Sequence, residues 1–188
     1  MLALILHRNR QAQGPYPIVL QDPTAIAVCH VARARRHCTF REWAHESKNG
    51  MSGWYGFKLH VQCDEAGRLY AFDLTTATVD DRKLLDPLTR WIRDGIVVDD
   101  GGYLSKAKAT ELAQRGVYLF TPTRKNMRHI ANPFQLARLQ LRHRVKEVFA
   151  FLKFAFGAVR ITRRAVGLPM PSPFTCCAVY SPIRSIRP

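Results

Sequence analysis

Two aspartates stand where runs of apolar residues give out. Asp22 closes Pro17-Ile18-Val19-Leu20-Gln21-Asp22, and Asp100 closes Ile96-Val97-Val98-Asp99-Asp100 just before Gly101-Gly102-Tyr103. The β-branched run reads as a buried strand, and the glycines read as the turn that ends it. A carboxylate at the mouth of a buried strand is costly unless it meets positive charge. In a chain of net charge +15, two carboxylates so placed suggest a metal site facing a polyanion. Each also has an ordinary reading. Asp22 precedes Pro23 and is readable as a turn residue, and Asp100 beside Gly101 as a loop carboxylate.

The surrounding elements must hold that pair. Residues 17–22 read as a strand, and residues 23–52 as mostly loop. Trp54 to Cys63 alternates, with Tyr55, Phe57, Leu59 and Val61 on one face. A turn at 64–67 and a returning strand from Arg68 to Thr75 complete a hairpin. A helix capped by Asp80 or Asp81 is expected to run to about Arg93. Gly95 to Asp100 is the buried strand. Ser105 to Arg115 is a short helix stopped by Gly116, and Val117 to Phe120 is another strand. A long helix is expected from about Pro133 to Phe156, with a stripe at Leu141, Val145, Val148, Leu152 and Phe156. This order gives an α/β fold, a mixed sheet flanked by helices.

At 188 residues and 47% hydrophobic content the chain is one domain with a sizeable core. Its 29 Lys and Arg against 14 Asp and Glu favour polyanionic partners, nucleic acid before acidic membrane. The charge is clustered. Between Arg124 and Arg164 the only acid is Glu147. Five cysteines without framework spacing suit a reduced, cytoplasmic setting. Cys29, His30, His37 and Cys38 invite a zinc reading, but adjacent ligand pairs fit a tetrahedral site badly. No apolar run is long enough to cross a bilayer, and Leu2-Ala3-Leu4-Ile5-Leu6 reads as the stub of a helix.

An ordered series of segments resembles one family. Asp22-Pro23-Thr24-Ala25-Ile26-Ala27-Val28-Cys29-His30 is similar to the Asp-Ser-x-Pro-x-Pro-Val-Cys-His segment of bacterial insertion-sequence transposases. Trp54-Tyr55-Gly56-Phe57-Lys58-Leu59-His60 is similar to their second strand. Leu74 to Asp81 resembles their Leu-Thr-x-x-x-x-x-Asp turn, and Asp100-Gly101-Gly102-Tyr103 their Asp-Lys-Gly-Tyr strand end. The resemblance covers about residues 17–165. It implies a ribonuclease-H-like fold and a DDE site, in which two Asp and one Glu hold two Mg²⁺ or Mn²⁺. Such ions, ~3.5–4 Å apart, clamp the attacking and leaving oxygens of a phosphoryl displacement. The implied layout is a remnant of an upstream helical region at 1–16, the catalytic domain at 17–165 and an irregular Pro-rich tail at 166–188.

The chain departs from the family at the third carboxylate. The family's helix reads Arg, three residues, Glu, six residues, Lys. Arg142 and Lys153 stand at those offsets, but the residue between them is Lys146, and the glutamate is its neighbour Glu147. One helical residue is ~100° of rotation, and the apolar stripe alone does not decide which of the two faces the site. Taken alone, Glu147 reads as a solvated helix residue. Glu147 serves as the third ligand only if the helix re-registers or its side chain reaches around. A lysine there sets a cation where a cation should bind.

The reading is therefore a DDE transposase domain for DNA strand cleavage and strand transfer, impaired in this copy. The rivals are a basic DNA-binding relic without catalysis and a metal-dependent nuclease that cuts but does not join. Expected metal ligands are Asp22, Asp100 and Glu147. Expected DNA contacts are Arg33, Arg35, Arg36, Arg124, Lys125, Arg128, Arg142 and Lys153, in basic loops beside the site and on the helix. Expected partners are insertion-sequence ends, target DNA and a second copy as a homodimer, with a bacterial, nucleoid-associated location and no membrane.

Overall fold

The first strand is twice as long as its apolar run. In the computed structural model, which describes residues 2–37, 40–48, 52–100, 106–122 and 133–156, β1 spans Ile18–His30. It does not stop at Asp22, so the loop expected from 23 onward is a correction. Pro23 is tolerated for a topological reason. Ile96 donates its N–H to the Pro17 carbonyl, so odd-numbered residues of β1 aim their backbone groups at the neighbouring β5 (Gly95–Val98). That strand has ended at Val98, where it pairs with Leu20. The N–H that Pro23 lacks would have pointed past its end.

The other side of β1 pairs antiparallel with β3 (Gly53–Asp64) from Val19 to His30. The expected hairpin is present: β3 returns as β4 (Leu69–Thr76). A short β2 (His45–Lys48) pairs with the start of β3, inside the stretch expected to be loop. Gly56 lies against the Ile26 carbonyl of β1, where any Cβ would collide with backbone. Beyond β5, β6 (Val117–Phe120) adds in parallel. The sheet order is β2-β3-β1-β5-β6, with β4 also on β3.

Helices cover both faces. On one face Leu20, Ile26, Leu59, Val61 and Val98 pack with Val145, Val148, Phe149 and Leu152 of α5 (His143–Phe156). On the other, Val19, Tyr70, Val97 and Val117 pack with Leu85, Leu88, Ile92 and Leu112, from α2 (Leu85–Thr89), the turn after it, and α3 (Lys106–Gln114). Truncating such a fully buried leucine costs about 2–5 kcal/mol. The expected stop of α3 holds, since Gly116 takes φ +72. The N-terminal α1 (Leu2–Gln11) runs along β4, where Asn9 Nδ2 donates to the Leu69 carbonyl at 2.8 Å. No helix among the described residues is long and apolar enough to cross a membrane.

Two helices differ from expectation. The segment expected from Asp80 to Arg93 is a 3-10 turn at Asp81–Leu84 followed by the short α2. Asp80 does cap it, accepting from the Arg82 N–H at 3.0 Å. It stops early because Arg115 Nη2 takes the Thr89 and Ile92 carbonyls at 3.0 and 3.5 Å. The long helix is two: α4 (Pro133–Gln140) and α5, parted at Leu141 and Arg142. At the break the bonding tightens to three-residue steps, with Arg142 N–H to the Leu139 carbonyl at 3.3 Å and Arg144 N–H to the Leu141 carbonyl at 2.9 Å. Each half serves a different partner. Phe134 meets Phe120 of β6 edge-on at 6.1 Å, whereas α5 lies on β1 and β3.

Candidate active site

The parallel pairing of β1 with β5 matches Ile18 to Ile96, Val19 to Val97 and Leu20 to Val98. Carried two residues further, the same register sets Asp22 beside Asp100, one strand spacing of ~4.8 Å away. Leu20 and Val98 both belong to the core under α5. Two residues on, Asp22 and Asp100 fall on that same face. Asp22 is not at a strand end, as the sequence suggested. It lies where one neighbour ends while the other continues.

The electrostatics of Asp22 report what surrounds it. Burial first, and then the charge of Asp100, push its carboxyl up to about 6. Arg142 and Lys146 act in the opposite sense, and Asp81 adds a smaller upward push. So the turn before α5 and its first helical turn direct two cations at the aspartate pair. Glu147 is occupied elsewhere: Arg144 Nη1 donates to its Oε2 at 3.0 Å, and His143 Nε2 lies 3.8 Å from its Oε1. Phe149 is buried with Val145, Val148 and Leu152. Lys153 is half-buried on the same helix, and burial lowers its pKa.

Two adjacent carboxylates suit a hard divalent cation, and a bound ion would relieve the repulsion that raises Asp22. The set is still short for a pair of ions. Among the described residues no group of three His, Cys, Asp or Glu side chains converges. Arg142 and Lys146 already supply positive charge at the pair. Among the described residues the pair offers donors for one shared ion. Of the residues that invited a zinc reading, Cys29 is buried and in no disulfide, and the His30 ring caps the following turn by accepting from Ala32 N–H at 3.2 Å. Cys38 lies outside the described residues.

The basic residues are less concentrated than expected. Arg33, Arg35 and Arg36 are exposed on the 3-10 turn Val31–Arg36, pinned by buried Ala34. That turn follows His30, eight residues beyond Asp22, or roughly 26 Å along an extended strand. The expectation that this loop leaves the sheet beside the carboxylates is corrected by the length of β1. Arg124, Lys125 and Arg128 lie outside the described residues. The charges that do act on Asp22 are Arg142 and Lys146.

Behind the pair, the sheet carries a buried polar row that the sequence reading missed. Gln21 and Gln62 are fully buried, with Gln62 Nε2 donating to Gln21 Oε1 at 2.6 Å. Asp99, also fully buried, takes the Phe120 carbonyl with its N–H at 3.0 Å. Further along β3, Lys58 Nζ donates to Asp81 Oδ1 at 2.9 Å and to the Val79 carbonyl at 2.8 Å. Asp81, read as a cap, is thus the partner of a strand lysine. The signal was the even-numbered series Lys58, His60, Gln62 and Asp64, which alternates with the apolar series.

Comparison with known proteins bears on the same residues. A family model described as Transposase DDE domain matches residues 13–164, which takes in Asp22, Asp100 and all of α5. No curated protein sequence matches the chain. Among solved structures, the piggyBac transposase in a synaptic complex with hairpin DNA aligns at 17% identity and a TM-score of 0.47, over 69% of this chain and 27% of that one. A simian T-cell lymphotropic virus intasome in complex with the PP2A regulatory subunit B56 gamma aligns at 16% and 0.43, over 88% and 49%. Mos1 transposase in a paired-end complex with the left transposon end aligns at 12% and 0.35, over 79% and 59%. The chain therefore spans between about a quarter and three fifths of those chains. With the family match covering most of the sequence and both aspartates, the chain belongs to the transposase DDE domain family.

Proposed function

We propose that this domain takes a DNA strand on the α5 face of its sheet and is weak or silent in cleaving it. Members of the family generally use divalent metal ions for phosphoryl transfer on DNA. Here Asp22 and Asp100 would hold a single ion, while Arg142 and Lys146 would meet phosphate oxygens. The observation that carries the reading is the combined field on Asp22, the carboxylate of Asp100 with a weaker one from Asp81, and the two cations Arg142 and Lys146. Such a field suits a phosphodiester, whose negative charge the cations attract. It disfavours a second metal ion, which they repel. Glu147 is not the third ligand in this reading, because its carboxylate pairs with Arg144 and Lys146 takes the place beside Asp22. The implied setting is DNA transposition, with insertion-sequence ends and target DNA as substrates and a homodimer as the assembly. The DNA-binding relic gains from the same lysine that the enzyme loses by.

The test pairs binding with cleavage. Duplex DNA should bind with affinity that falls steeply with salt, since each phosphate contact adds about −0.9 to the log–log slope. Nicking with Mg²⁺ or Mn²⁺ should be slight in the unaltered chain and should rise in Lys146→Glu. Absence of binding at low salt would sink the DNA reading. Brisk cleavage abolished by Glu147→Gln would overturn the assignment of Lys146.

A further inference from the structure

The corner where α1 meets the turn after α2 holds two guanidiniums around one indole. The Arg10 Cζ lies 4.3 Å from the centroid of the Trp91 ring and 5.6 Å from that of Tyr70. The Arg90 Cζ lies 4.7 Å from the Trp91 centroid. Arg10 is built in rather than draped. Its Nε donates to the Tyr70 carbonyl at 2.9 Å, the neighbouring Asn9 is tied to Leu69, and Tyr70 Oη donates to the Trp91 carbonyl at 3.4 Å. Among the described residues neither Arg10 nor Arg90 takes part in an ion pair. Trp91 is 49% exposed.

Two like charges on one ring repel. Burial and the charge of Arg90 both lower the Arg10 pKa. A guanidinium stacked on an aromatic face keeps its N–H edge outward, the geometry that grips phosphate oxygens in a two-pronged fashion. Uncompensated charge, a fixed fork and a half-exposed indole describe an anion site, and the net charge of +15 favours a polyanion over a small one. The site lies at the β4 edge, on the α2 side of the sheet. Asp22 and Asp100 face α5.

We propose that Arg10, Trp91 and Arg90 form a second DNA-backbone site, away from the carboxylate pair, so that the domain holds a strand on each side of its sheet. This rests on the reading that the domain handles DNA. The indole edge would meet a sugar or base while the guanidiniums take adjacent phosphates.

The test is anisotropy of a labelled 30-base-pair duplex across a salt series, with the full chain and the variants Arg90→Gln, Arg10→Gln/Arg90→Gln and Trp91→Phe. The double variant should lower the magnitude of the log–log slope by about 2, at ~0.9 per phosphate contact, and weaken binding at least tenfold at moderate salt. Arg90→Gln alone, an exposed change that threatens no packing, should remove about half of the slope change. Trp91→Phe keeps a ring and should retain most of the binding, while losing part of the tryptophan quenching on DNA addition. If the unaltered chain fails to bind DNA, the underlying reading falls and this one with it. If it binds and both arginine variants keep its slope, only the second site is overturned. A loss confined to binding of anionic phosphatidylserine vesicles, with the DNA slope intact, likewise overturns it.

Discussion

The two faces of β1 and β3 treat polar groups in opposite ways. On the α2 side every charged or polar residue of the β3 series has a counterpart. Lys58 has Asp81, His60 Nε2 sits 3.0 Å from Thr75 Oγ1, Gln62 has Gln21, and Asp64 Oδ2 accepts from Arg68 Nε at 2.6 Å. On the α5 side Asp22 and Asp100 stand side by side as like charges, and the carboxyl of Asp22 is pushed up to about 6. A polar group that serves only the fold is neutralised within the fold. One left in conflict with its neighbour is a group whose complement comes from outside. Arg142 and Lys146 blur that contrast, because they give Asp22 part of the complement a metal would have supplied.

The largest test of the contrast is on the paired face, where Gln21 and Gln62 meet through one hydrogen bond and leave Gln21 Nε2 and Gln62 Oε1 without one. Burial drives His60 down to about 4, with Lys58 pushing the same way and Asp81 and Asp73 opposing. The unfolded imidazole titrates near 6.5 and the folded one near 4, so the unfolded chain binds the extra proton. Stability is then full above pH 6.5 and falls on acidification to pH 4, by about 3 kcal/mol for this group. In His60→Gln that acid loss should disappear, read as the urea midpoint against pH. An unchanged profile would mean that His60 is not held neutral.

Next comes the face in conflict. Lys146→Glu exchanges a cation for a carboxylate beside Asp22 and should raise Mn²⁺ affinity about a hundredfold or more, equivalent to about 2.7 kcal/mol. Calorimetric titration reads this directly, and no gain would remove Lys146 from the site. Asp22→Asn is comparable in size. Its folded pKa of about 6 lies above the usual 3.8, so the folded chain keeps a proton that the unfolded one releases. The carboxyl therefore costs stability as pH rises from 3.8 through 6, and the cost stays constant above. The variant should be more stable than the parent by about 3 kcal/mol at pH 8 and equal to it near pH 4. Because His60 and Asp22 pull in opposite directions on acidification, each single variant unmasks the other. Smallest is Glu147→Gln, which removes half-exposed pairs and should change stability by no more than about 0.5 kcal/mol.

Much of this arrangement was legible in the residues, for identifiable reasons. The hairpin of β3 and β4, the strands β5 and β6 and the stop at Gly116 follow from alternation, β-branching and a glycine. The length of β1 was hidden by Pro23, which normally closes a strand and is harmless here only because β5 ends three residues earlier. The early end of α2 depends on Arg115, distant in sequence. The parting of α4 from α5 has no glycine or proline to announce it, and arises where two sheet regions claim the two halves. At the site, the matching strand-end contexts of Asp22 and Asp100 pointed to a shared position. Between Lys146 and Glu147 the apolar stripe was silent, and only the folded chain sets Lys146 where its charge acts on Asp22.

The place where β5 stops has a consequence for how copies of this chain meet. From Pro23 onward β1 has β3 on one side and, among the described residues, no strand on the other. An unpaired strand flank invites another chain to zip onto it, the usual opening for sheet-to-sheet aggregation. Pro23 stands first in that exposed stretch and lacks the amide an incoming strand would need there. The same residue that conceals the length of the strand from a sequence reader also withholds one amide from an incoming strand. An amide-bearing residue at this position would be expected to leave the fold intact while making concentrated protein more prone to precipitate.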